Sequence, residues 1–163
     1  MKNLILDNFF HHKEKKLRDP LWHFVVKGLK MQITFSKQEQ VTIMHLMGDI
    51  DASNYTSVID KAQEAYNDGA RHLLLDLEKV PYVSSAGLMA LHTIARIFSG
   101  QMTQTKDGGR PVFRSLNPKQ DTSAKDHVKL LNPQPAVEQV LEVVGLKQFL
   151  EVYKDLDTAL KSF

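Results

Sequence analysis

Apolar and polar positions change their period several times along this chain, and each change marks an element. Met31–Phe35 (MQITF) alternates apolar and polar side chains, the period of a strand with one solvated face. After the polar stretch SKQEQ, Val41–Met47 (VTIMHLM) is β-rich, mostly apolar and stopped by Gly48, so a hairpin joining the two is the simple reading. Residues 48–54 (GDIDASN) interrupt with turn and cap residues. Ser53 or Asn54 can cap a helix over Tyr55–Asp68, where Val58, Ile59, Ala62, Ala65 and Tyr66 fall at helical spacing, and Gly69 ends it. His72–Leu77 (HLLLDL) is a short continuous apolar run, as expected of a strand buried on both faces. Beyond Pro81, the residues Leu88, Leu91, Ile94, Ala95 and Phe98 form a helical stripe over Ala86–Phe98, which closes at Gly100.

Residues 100–126 lose the periodicity. They are polar, carry Gly-Gly and two prolines, and read as a flexible insertion, long for a compact domain. Strand character returns at His127–Leu131 (HVKLL), and a helix is predicted over Ala136–Val144, stopped by Gly145. Phe149–Tyr153 (FLEVY) is the last strand, and Asp155 caps a terminal helix over Asp157–Ser162. The order ββαβαβαβα predicts an α/β fold. Its sheet would be mixed, mostly parallel and four- to five-stranded, with about four helices and one antiparallel pair at the hairpin.

Composition narrows the class. With 163 residues the chain suffices for one domain with a real core, and 42% hydrophobic against 25% charged residues argues against wholesale disorder. There is no cysteine, so no disulfide framework or thiolate metal site exists. No apolar run approaches the roughly 18 residues of a membrane span. The N-terminus places its apolar patch before its charges, the wrong order for a signal peptide, so a cytoplasmic protein is expected.

The net charge of +2 hides an asymmetry: residues 1–30 sum to +4 and the remainder to −2. No basic stripe continues into the body, so this arm reads as a solvated or non-native extension, with Met31 as a natural start, and no nucleic-acid partner is expected. The domain expected to follow covers 31–163.

The stretch 82–88, YVSSAGL, sets two serines between a hydrophobic run and a helix start. Read from residue type alone, they are helix caps, worth about 1 kcal/mol. Asp49 and Asp51 resemble a catalytic or metal-binding carboxylate pair, but nothing supplies further ligands, so a surface loop is expected. Asp76 reads as a structural acid in an apolar strand. The seven histidines show no ligand spacing beyond the adjacent His11 and His12. No Gly-rich phosphate loop and no GxSxG elbow is present. No metal, cofactor or catalytic residue is assigned.

G-D-I-D at 48–51, L-L-L-D-L at 73–77 and V-S-S-A-G-L at 83–88, with V-x-x-V-L-E-V-V-G-L at 137–146, resemble the STAS domain over roughly 31–100 and 127–163. That is the fold of bacterial anti-sigma factor antagonists and of sulfate-transporter tails. The resemblance implies a non-enzymatic partner switch. Such a protein binds an ATPase-fold, kinase-type anti-sigma factor, is phosphorylated on a Ser or Thr at the start of the second helix, and is reset by a PP2C-type phosphatase. A homodimer is left open.

The commoner family pattern reads Asp-Ser-Ser-Gly or Asp-Ser-Thr-Gly, with the acceptor directly before Gly. Here Ala86 precedes Gly87, so Ser85 is the expected acceptor and Ser84 the second candidate. Asp51 matches the family's second acidic motif residue, near the acceptor. The expected partner surface comprises Asp49, Asp51, Ser84, Ser85 and Gly87, with Met89, His92, Thr93 and Arg96 as exposed positions flanking the apolar stripe. Two other readings stay open: an unphosphorylated STAS scaffold or accessory subunit of a transport or signalling complex, and a nucleotide-binding or enzymatic α/β domain.

Overall fold

The computed structural model describes residues 30–101 and 123–163. The expected N-terminal extension, and all of the expected insertion but its ends, lie outside the described residues. Those described fall in the compact unit Met31–Phe163, apart from Lys30.

The chain begins with β1 (Gln32–Gln38) and β2 (Val41–Met47), an antiparallel pair in which Gln38 faces Val41, leaving a two-residue turn at Glu39 and Gln40. Glu39 has φ 54°, as the tight turns of twisted hairpins require. Helix α1 (Tyr55–Asn67) leads to β3 (His72–Lys79), and α2 (Ser85–Phe98) follows it. A single helical turn, α3 (Ala124–His127), precedes β4 (Val128–Leu131). Then come α4 (Pro135–Val143), a 3₁₀ turn at Leu146–Gln148, β5 (Glu151–Tyr153) and α5 (Leu156–Lys161). The strands lie in the order β1-β2-β3-β4-β5, and every pairing after the first is parallel.

Alternation along the strands sorts the core onto two faces. On one, Met44 and Leu46 of β2, Leu73, Leu75 and Leu77 of β3, and Val128 and Leu130 of β4 cluster with residues of α1, α2 and α4. Tyr66 of α1 meets Phe98 of α2 edge-on at 5.3 Å between ring centroids. The other face is smaller: Val41, Ile43, Leu74 and Leu131 pack with Ala159, Leu156 and Leu160 of α5 and with Phe163.

Several boundaries differ from the sequence pattern. β1 runs on through the polar Ser36, Lys37 and Gln38, because an edge strand with solvated positions needs backbone pairing and not apolar alternation. The stretch Ala124–His127, read as loop and strand start, is a helical turn. β5 begins at Glu151, although Phe149 and Leu150 ahead of it are buried in the way a strand pattern suggests. Asn54 occupies the N-cap position of α1 without a side-chain bond into the helix. Among the described residues there are five helices where about four were expected. None of them is long and apolar enough to cross a membrane.

Candidate functional site

Parallel pairing brings the C-terminal ends of β2 and β3 to one edge of the sheet, so the segments that follow them lie side by side. They are joined through the backbone. Gly48 N donates to Lys79 O at 3.0 Å, Ile50 N to Tyr82 O at 3.0 Å, and Ser84 N to Ile50 O at 2.9 Å, with a single parallel bridge between Ile50 and Val83. The 48–51 motif and the paired serines thus form one continuous surface.

Gly87 is fixed by this contact. A β-carbon there would lie 2.6 Å from the Ile50 carbonyl oxygen and 2.7 Å from Val83 Cγ1, so the first turn of α2 sits directly on the Ile50 peptide.

The two serines differ in their surroundings. Ser84 is the N-cap of α2: its backbone is extended and its hydroxyl accepts from Gly87 N at 3.2 Å. Ser85 is the first helical residue and is exposed. No side-chain hydrogen bond among the described residues uses its hydroxyl. Ser85 therefore presents a solvent-facing oxygen in the first turn of the helix, at the positive end of its dipole. Tyr82, 55% exposed, precedes them in the same loop. The pattern singled out the serines and passed over this aromatic, though a Tyr directly after Pro81 and outside any apolar stripe is the signal that marks it.

Asp51 holds the loop through its carboxylate, and Asp49 through its backbone carbonyl alone. Asp51 accepts from Ser53 Oγ at 2.6 Å and Ser53 N at 2.8 Å, and these bonds hold its carboxyl below the ordinary 3.8. Asn54 ties the same loop from both ends, accepting from Asp51 N at 3.1 Å and donating to the Asp49 carbonyl at 2.8 Å. The Asp51 carboxylate thus faces Ser53, and its link to Ser84 runs through the neighbouring Ile50 backbone. Among the described residues no group of three or more His, Cys, Asp or Glu is placed to hold a metal ion.

On α2 the expected exposed positions divide. Met89 and Arg96 are half-buried, whereas His92 and Thr93 are buried, at 7% and 5% exposed. Thr93 Oγ1 donates to the Met89 carbonyl at 2.8 Å. The expectation that His92 and Thr93 are exposed contacts is corrected: α2 is covered on most of its circumference, and a single apolar stripe understates that. What α2 offers to solvent is its first turn, then Met89 and Arg96.

Residues 32–104 match the family model of the STAS domain. Over these residues the chain is similar to a STAS domain. The matched stretch spans β1 to α2 and so contains the whole loop surface, and the strands after it complete the sheet. The fold is also that of solved anti-sigma factor antagonists. One from Mycobacterium paratuberculosis superimposes with a TM-score of 0.59 at 16% identity, over 82% of this chain and 93% of that one. The anti-sigma factor antagonist SpoIIAA in its unphosphorylated form gives 0.56 at 16%, over 80% and 95%. The Bacillus cell fate determinant SpoIIAA in its phosphorylated form gives 0.52 at 15%, over 81% and 100%. At these identities the likeness is one of fold. No curated protein is significantly similar to the sequence.

Proposed function

We propose that this STAS-like domain is a partner-switching module, an anti-sigma factor antagonist or its equivalent, controlled by phosphorylation of Ser85. The observation that carries the reading is the division of labour at the helix start: Ser84 is spent on the cap, while Ser85 is exposed and unbonded. An ATPase-fold, kinase-type anti-sigma factor would dock on the Asp49–Asp51 loop, the serine loop, Met89 and Arg96. It would transfer the terminal phosphoryl group of ATP to Ser85 Oγ, which loses its proton as ADP leaves. A PP2C-type phosphatase would restore the hydroxyl, and a cytoplasmic setting and an output in transcription follow from that scheme.

Charge explains the switch. A helix N-terminus tolerates a phosphate locally, through free N–H groups and the positive end of the dipole. The same group adds about −1.5 to −2 charges and a hydration shell that oppose burial in a partner interface. The half-exposed Asp51, ionised and adjacent in sequence to the Ile50 peptide that holds the serine loop, adds to that local negative charge.

The test is incubation with ATP and candidate ATPase-fold kinases, then mass spectrometry of the 80–96 peptide. Phosphate on Ser85, absent in Ser85→Ala and accompanied by loss of kinase binding, supports the reading. Stable binding with neither serine phosphorylated supports the alternative that Ala86 favours, an unmodified docking scaffold.

A further inference from the structure

The smaller sheet face carries a polar line that the loop surface does not use. Strand register places Ser36 opposite Ile43, Thr34 opposite His45, and His45 opposite Asp76, so Ser36, His45 and Asp76 lie on one face across three strands. The line is fully bonded. Ser36 Oγ is 2.8 Å from His45 Nε2, and His45 Nδ1 is 2.8 Å from Asp76 Oδ2. Asp76 is itself pinned, its other oxygen accepting from Glu78 N at 3.1 Å.

With His45 neutral, the bonds assign the proton positions. An ionised carboxylate only accepts, so His45 Nδ1 carries the hydrogen. In a neutral imidazole Nε2 is then an acceptor, and the Ser36 hydroxyl must donate to it. Exposure grades in the same direction: the Asp76 side chain is 19% exposed, that of His45 40%, and Ser36 lies open on the edge strand. A sheltered acid orients a base, and the base holds the proton of an accessible hydroxyl, which is the arrangement nucleophilic serine chemistry requires.

We infer that Ser36 is a base-activated nucleophile on the open sheet face, an acyl-acceptor site for small activated carboxylic esters, with His45 as general base. Asp76 is the positioning residue. Ser36 Oγ bonds to the ester carbonyl carbon while His45 Nε2 takes the hydroxyl proton. The bond from that carbon to the leaving oxygen breaks, and the proton passes from His45 to the departing alcohol. Water, deprotonated by the same nitrogen, then releases the acid and restores Ser36. What the line supplies is general-base assistance, about 10²–10⁴-fold. Oxyanion donors of the kind worth about 10²–10³ more in dedicated hydrolases are no part of it, so slow acylation is expected. None of this involves Ser84 or Ser85.

The test uses the full chain and p-nitrophenyl acetate, with released nitrophenolate followed by absorbance and the acetylated residue mapped by mass spectrometry. Acetyl on Ser36 is expected, absent in Ser36→Ala and formed at least roughly 10-fold more slowly in His45→Gln. Ser57→Ala, which alters an exposed serine of α1, should acylate at the parent rate. An unmodified Ser36, or equal rates in the parent and a folded His45→Gln, overturns the inference and leaves a cross-strand structural network. Asp76→Asn keeps the shape and guards against misfolding of the His45 variant. Nitrogen NMR should show the His45 hydrogen moving from Nδ1 to Nε2 as acylation is lost, and an unchanged tautomer removes Asp76 from the scheme.

Discussion

The Ile50 carbonyl oxygen lies 2.6 Å from where a β-carbon on residue 87 would stand, so the Ile50 peptide and the start of α2 share one space. Gly87→Ala puts two effects in opposition. Inside a helix, alanine is favoured over glycine by about 1 kcal/mol, whereas overpacking costs about 1–3 kcal/mol. The Val83 methyl can turn aside but the Ile50 carbonyl, which already accepts from Ser84 N, cannot. The terms sum to a net loss of up to about 2 kcal/mol in urea unfolding, with weakened kinase binding expected. A variant as stable as the parent would show that the contact is looser than its geometry.

Ser84 and Ser85 should separate cleanly in stability measurements. Ser84→Ala removes the cap bond to Gly87 N and should cost about 1 kcal/mol. Ser85→Ala touches an exposed, unbonded hydroxyl and should stay within about 0.5 kcal/mol of the parent. Equal losses in thermal melts would contradict the assignment of one serine to structure and one to chemistry.

Ser85→Glu is expected to leave the fold intact or stabilise it slightly. A carboxylate in the first turn of a helix is favourable by about 0.3–1 kcal/mol at low salt, an effect that added salt should reduce. Kinase binding, measured by calorimetry, should nevertheless fall. Destabilisation of the free protein would place the negative charge somewhere other than over the helix end.

Acid should loosen the far end of the sheet. Lys129 is 3% exposed, and its ammonium meets Glu151 at 2.8 Å beneath the rings of Tyr153 and Phe163. The hydrogen bond from Lys129, and then that from Tyr153, holds the Glu151 carboxyl below its ordinary 4.5. Glu138 is lowered likewise by Lys154 and then Lys147. A depressed carboxyl stabilises the fold fully above the unfolded value and loses that contribution as pH falls through the folded one. Unfolding free energy should therefore decline below about pH 4.5. Glu151→Gln should cost about 1–3 kcal/mol at neutral pH, because it strands a buried ammonium, and should blunt the acid decline. Glu138→Gln, facing partly exposed lysines, should cost less than about 1 kcal/mol.

The sequence was most informative where one physical cause dominates. β2 and β3 follow from apolar runs between turn residues, and the Asp155 cap of α5 is where the pattern puts it, accepting from Thr158 N at 2.9 Å. The helix start was legible to within a residue, because capping is local. The pattern opens the helix at Ala86 with both serines as caps, whereas it opens at Ser85 with Ser84 alone as cap. Tertiary covering was not: the burial of His92 and Thr93 arises from elements packed around α2, which a periodicity along α2 alone does not contain. Nor was the Ser36–His45–Asp76 line. Its members are 9 and 31 residues apart in successive steps, and only hairpin register and parallel pairing bring them together.

The Ile50–Val83 bridge makes the two loops at the site a short prolongation of the sheet. Their inner amides, Ile50 and Ser84, are bonded as strand amides are, and should exchange with deuterium more slowly than loop position suggests. Under the proposed function, a partner docking there would meet loops already tied to the sheet through their backbone. Little chain entropy remains to be lost on docking, so modification at Ser85 would act on contacts alone and leave the underlying platform unaltered.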